Sequence, residues 1–137
     1  MFVKILKSKL HRATVTDAKL HYAGSIEIDS VLMESADILP YESVLIADLN
    51  NGSRLETYAV PAEANSGQVV ILGAAARLIK PKDIIIVFGF GYYTPDEAGK
   101  RKPKILILDQ NNKIKVREKI SDPRVKRDTR DERGDTK

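Results

Sequence analysis

The chain has 137 residues, with 23 Lys and Arg against 19 Asp and Glu for a formal net charge of +4. That length suits one domain with a real core and excludes a multidomain machine, and the charge falls short of the density that coats a nucleic acid. The absence of Cys excludes disulfides, thiol nucleophiles and Cys-based metal sites, leaves His11 and His21 as the only imidazoles, and fits a cytoplasmic address.

From the amino terminus, Lys4 and Lys7 interrupt the apolar residues of positions 1–10, so this stretch does not read as a signal peptide. Short β-type runs follow along the chain, at 2–6, 13–15, 44–49, 55–60, 69–72, 84–90, 105–108 and 114–116, separated by turn chemistry. The longest apolar run, 84–91, is far too short to span a membrane and is rich in β-branched residues, as a buried strand is. Asn51-Gly52 between two runs predicts a type I′ hairpin, which brings residues 54–58 back on the returning strand.

Three helical pieces are expected: 30–36 capped by Asp29, 73–79, and 94–98, where Thr94 can cap and Pro95 takes the first helical position. Regular short strands with few helices predict a mainly β class, a small barrel or sandwich. Residues 121–137 hold one apolar side chain, Val125, among six basic and five acidic residues, and are expected to form a disordered tail beside a single domain over 1–120. The body then carries +3 of the +4, so the tail hides no strongly charged domain.

His11 and His21 stand ten apart without a carboxylate pattern around them, which argues against a metal site. Tyr22-Ala23-Gly24-Ser25 ends in a Gly-Ser pair. Such a pair usually only makes a turn, but glycine exposes its carbonyl without a Cβ and the next residue carries a hydroxyl able to attack it. On an extended strand Arg54 and Tyr58 share one face and Thr57 takes the other, so a cation that can fork onto a carboxylate lies beside a phenol that can move a proton. Gly73-Ala74-Ala75-Ala76 follows a strand with small residues whose N–H groups could face an anion, though neither a Walker nor a dinucleotide motif is present.

Taken in order, Ser8-Lys9-Leu10-His11-Arg12, Leu20-His21-Tyr22-Ala23-Gly24-Ser25, Asn51-Gly52-Ser53-Arg54-Leu55-Glu56-Thr57-Tyr58 and Gly73-Ala74-Ala75-Ala76-Arg77 resemble the aspartate 1-decarboxylases over about residues 1–118. The resemblance implies a double-ψ β-barrel, a homotetramer with active sites at subunit interfaces, and decarboxylation of L-aspartate to β-alanine for pantothenate synthesis. It implies that Ser25 attacks the Gly24 carbonyl and that the chain is cut into 1–24 and 25–137, leaving a covalent pyruvoyl group at position 25 that forms a Schiff base with the substrate. Neither metal nor pyridoxal phosphate is then required.

By the same resemblance Tyr58 is the proton donor, and Arg54 and Lys9 hold substrate carboxylate. Thr57 bonds substrate and steadies the oxyanion of self-cleavage, backbone groups of Gly73, Ala74 and Ala75 line the site, and His11 and Tyr22 support the pocket. One position departs from the family pattern: Leu72 stands where an Asn is usual. Two other classes compete with the enzyme. One is a non-catalytic β-barrel binding module, including a DNA-binding regulator of related fold, against which the lack of a basic, aromatic-rich stripe argues. The other is a structural subunit whose Gly24–Ser25 bond stays intact.

Overall fold

The structure, a computed structural model, describes residues 1–118; the tail expected over 121–137 lies outside the described residues. The strands are β1 (Val3–Thr14), β2 (Asp17–Lys19), β3 (Ser25–Asp29), β4 (Ser43–Asp48), β5 (Arg54–Ala62), β6 (Val69–Leu72), β7 (Ile84–Tyr93), β8 (Lys104–Leu108) and β9 (Ile114–Glu118). Two short helices, α1 (Ser30–Ser35) and α2 (Pro95–Gly99), and a 3₁₀ turn at Ala74–Arg77 complete the set. The fold is mainly β, as expected.

Hydrogen bonding joins the strands in the order β2-β6-β3-β5-β4-β7-β1-β8-β9. Neighbours are mostly antiparallel, but β1 runs parallel to β8, β3 to β5 and β2 to β6, so strands distant in sequence interleave. Leu10, Ile26, Ile46, Ile71, Ile85 and Leu106 come from six different strands and are buried together in one core. Branched aliphatic side chains on pleated strands fill such a core well.

Two expected runs, 2–6 and 13–15, are one twelve-residue strand, β1. Ser8, buried among apolar neighbours, breaks the hydrophobic alternation, and the register against β7 slips between Leu6 and Ser8 and again between Leu10 and Ala13, where Arg12 takes φ 65°. The turn after β4 is not type I′, because Gly52 has φ 77° while Asn51 is not left-handed. Instead Asp48 Oδ1 accepts the Asn50 N–H at 2.7 Å, Asn51 Oδ1 accepts the Ser53 N–H at 2.8 Å, and the Gly52 N–H closes onto the Asp48 carbonyl at 2.8 Å. Side-chain bonds to the backbone favour this longer loop with one left-handed glycine.

Caps hold the two α-helices where they were expected, whereas the piece expected at 73–79 is only the 3₁₀ turn Ala74–Arg77, which has no side-chain cap. Asp29 Oδ1 accepts the Val31 N–H at 2.9 Å, and Thr94 and Glu97 form a reciprocal capping box at α2. The Asp29 carboxylate also accepts N–H groups from Asn65 at 3.0 Å and Gly67 at 2.9 Å, which ties the end of β3 to the β5–β6 loop. Burial pushes the Asp29 carboxyl up, but these donors outweigh it and hold its pKa below the ordinary value.

Candidate active site

Ser25 opens β3 and is buried at 6% exposure, whereas Gly24 before it is exposed, so the Gly24–Ser25 bond crosses from surface to core. Ser25 pairs across the ladder with Leu72 at the end of β6. The chain then turns at Gly73, with φ 88° and ψ −152°, a conformation that a residue with a β-carbon rarely adopts. A β-carbon there would stand 2.7 Å from Gly24 Cα and 3.0 Å from both Gly24 N and the Tyr22 carbonyl oxygen. Gly24 itself is not left-handed; the positive φ sits at the glycine pressed against it.

A cavity of about 340 Å³ opens beside this junction, lined by Gly24, Thr57, Leu72, Ala74 and Ala75 and also by Leu55, Glu56 and Leu78. Parallel pairing of β3 with β5, Ile26 opposite Ala59, brings Thr57 to this wall. Glu56 Oε2 accepts from Ser43 Oγ at 2.7 Å, so its carboxylate is engaged on β4. The Gly73 N–H is spent on the Lys19 carbonyl at 2.8 Å, and Gly73 contributes shape while Ala74 and Ala75 contribute wall.

Arg54 and Tyr58 do not line the cavity, although Glu56 between them on the same face of β5 does. The Arg54 guanidinium and the Lys9 ammonium flank the same ring, Phe88, at 5.9 Å and 5.7 Å from its centroid. Tyr58 lies against Tyr41, with centroids 6.0 Å apart. Tyr22 is exposed and holds Lys19 over its ring at 5.5 Å, and His11 sits on β1 opposite Ile107 of β8. The sheet order sets β4 and β7 between β5 and β1. One chain thus gathers Gly24, Thr57, Ala74 and Ala75 at the cavity, and leaves Lys9, Arg54 and Tyr58 out of its lining.

The family model of aspartate decarboxylase matches residues 1–115. The chain belongs to the aspartate decarboxylase family. Among its relatives, the aspartate 1-decarboxylase of Moorella thermoacetica is 54% identical over 119 residues, covering 87% of this chain and 93% of the relative. Those of Acetivibrio thermocellus and Listeria welshimeri are 50% and 47% identical over 114 and 116 residues, covering 83% and 85% of this chain and 90% and 91% of theirs.

The family match takes in the cavity, the Phe88 cations and Tyr58, and stops short of the charged tail. Phe88, which gathers two of the expected cations, went unmarked in sequence because it sits inside an apolar run; Tyr41 carried no signal at all. Among the described residues there is no group of three or more His, Cys, Asp or Glu able to hold a metal, and no helix long and apolar enough to cross a membrane.

Proposed function

We propose that this chain cleaves itself between Gly24 and Ser25 and then decarboxylates L-aspartate to β-alanine and CO2, a step that supplies pantothenate synthesis. The observation that carries this reading is the Gly24–Ser25 bond itself, with its carbonyl side exposed, its serine buried, Gly73 packed against it and Thr57 on the same cavity wall. In the proposed maturation the Ser25 hydroxyl adds to the Gly24 carbonyl while the Thr57 hydroxyl donates to the oxyanion. Loss of the amide nitrogen leaves an ester, and β-elimination frees the carboxylate of Gly24 and leaves dehydroalanine at 25. Hydrolysis of its imine tautomer releases ammonia and leaves a terminal ketone.

Ser25 suits such a pyruvoyl group, since it is buried directly behind Gly24, which lines the cavity together with Thr57, Leu72, Ala74 and Ala75. Once formed, that group supplies the electron sink that decarboxylation of an amino acid needs. The residues around it bind and move protons. Arg54 and Lys9, two cations on one ring, suit a substrate with two carboxylates, the guanidinium as a fork and the ammonium as a point charge. Tyr58 hands its phenolic proton to the substrate carbon from which CO2 departs.

Assembly follows from the same geometry. Lys9, Arg54 and Tyr58 do not line the cavity of their own chain, which supports a homotetramer whose sites form where the cavity of one copy meets the cation and phenol surface of another. Intact-mass measurement after warm incubation tests the proposal. Two fragments, 1–24 and 25–137, with the second lacking its amine, are expected; a chain that never splits overturns the enzyme reading and leaves the structural-subunit alternative.

A further inference from the structure

Tyr41 is an unusual residue for its place. Its φ is 68°, and among the described non-glycine residues with positive φ it is the aromatic one, beside Asp37, Asn65 and Asn112, whose side chains tolerate that region, and Arg12 and Lys82. A bulky side chain in the left-handed region costs about 1–3 kcal/mol and persists only where its surroundings hold it there. Here they do. The Tyr41 N–H donates to the Ala59 carbonyl at 2.7 Å, and the Ala59 N–H returns to the Glu42 carbonyl at 3.0 Å, so the turn is bonded to the residue that follows Tyr58. Glu42 is in turn held by Lys7, whose Nζ lies 2.8 Å and 3.0 Å from the two carboxylate oxygens, and by the Leu39 N–H at 2.9 Å.

What this scaffold presents is a ring. Tyr41 is 76% exposed, so burial does not explain its aromatic side chain, and its one ring contact among the described residues is Tyr58 at 6.0 Å with the planes tilted by 35°. That separation lies in the range where aromatic pairs attract. Tyr58 is itself 37% exposed midway along β5, and without a neighbour its ring would sample several rotamers. We infer that Tyr41 is a positioning residue: the strained turn at 39–42, clamped by the Lys7–Glu42 ion pair, holds the Tyr41 ring against Tyr58 and fixes the direction of its phenol. This inference rests on the reading of Tyr58 as proton donor.

The test uses the full chain carrying Tyr41→Asn or Tyr41→Phe, each first checked by intact mass for cleavage equal to the parent. Asn accepts left-handed backbone, so Tyr41→Asn is expected to melt no lower than the parent while kcat falls roughly five- to tenfold, the effect one aromatic contact can have, and KM for L-aspartate stays within about twofold. Tyr41→Phe keeps the ring and is expected to keep kcat. With ring-labelled tyrosine, the Tyr58 resonances are expected to shift in Tyr41→Asn and to stay in place in Tyr41→Phe. The inference is overturned by a Tyr41→Asn chain that retains kcat, by one whose melting temperature falls with its activity, or by a loss of kcat with the Tyr58 resonances unmoved. Failure of the donor reading shows elsewhere, as full turnover by Tyr58→Phe, and would take the inference with it even where the Tyr58 resonances shift.

Discussion

Gly73 lies with its backbone directly on Gly24: a β-carbon on the one would come within 2.7 Å of the α-carbon of the other. Gly73→Ala therefore meets two obstacles, a φ of 88° and the backbone of the bond to be cut. Gly52, at φ 77° with nothing within 4 Å of an added β-carbon, meets only the first. Both alanine variants are expected to lose about 1–2 kcal/mol from left-handed backbone. Gly73→Ala alone is expected to slow self-cleavage, by about tenfold or more, since the Gly24 carbonyl must shift away from its attacker. A time course of intact mass for the two variants checks this, and equal cleavage rates would detach Gly73 from the process.

Thr57 and Tyr58 are adjacent in sequence and face opposite sides of β5, so their losses should separate two steps. Thr57 lines the cavity with Gly24, and Thr57→Val, which keeps shape and removes the hydroxyl, is expected to slow cleavage by about 10²-fold, the scale of one oxyanion donor. Tyr58→Phe is expected to cleave at the parental rate and then fail to release β-alanine. Mass spectrometry reads the first and product assay the second; a Tyr58→Phe chain that turns over normally removes the phenol from the chemistry.

Much of this was legible in the sequence, and the illegible part has physical causes. Caps at Asp29 and Thr94 read correctly because capping is local chemistry, and the strands of 69–72 and 84–90 read correctly because their apolar runs carry no polar side chain, as is true of most of 44–49 up to Asp48. β3 was missed as a strand, since Ser25 and Asp29 at its ends are polar yet buried. β1 was split in two by a buried serine and two register slips. At the site, Gly24 and Thr57 meet through a parallel pairing of strands more than thirty residues apart, a relationship that motif order suggested and local pattern could not. Tyr41 lies beyond either kind of reading, because its meaning is a backbone angle and a ring contact.

Asp48 gives the chain a pH dependence of definite sign. It is 2% exposed, and burial first, with the neighbouring Asp83 carboxyl adding to it, raises its pKa above 3.8 against the backbone donors Asn50 and Asn51. The folded chain then holds this proton more tightly than the unfolded one. The stability it contributes is present below 3.8 and is lost as pH rises through the higher folded value. Asp48→Asn keeps an acceptor for the Asn50 N–H and cannot ionise. Its unfolding free energy from urea titration is expected to exceed the parent's at pH 7, by about 1 kcal/mol, and to match it in acid below that window. An equal difference at both pH values would show that Asp48 does not titrate there.

Leu72 poses the last question, because it pairs with Ser25 and lines the cavity at the position where the family resemblance leads one to expect an asparagine. A leucine closes that wall with methyl groups and offers nothing to the charge that develops on the Gly24 carbonyl. An asparagine branches at the same atom, is smaller, and brings an N–H donor to the cavity that Gly24 itself lines. Leu72→Asn is therefore expected to fold as the parent does and to cleave several-fold faster, a gain smaller than the loss from deleting a fully aligned oxyanion donor because Thr57 already serves that place. The two time courses of intact mass, run side by side, decide it. Slower cleavage in Leu72→Asn would mean that the apolar wall, by keeping water from the ester, does more for maturation than the missing amide could.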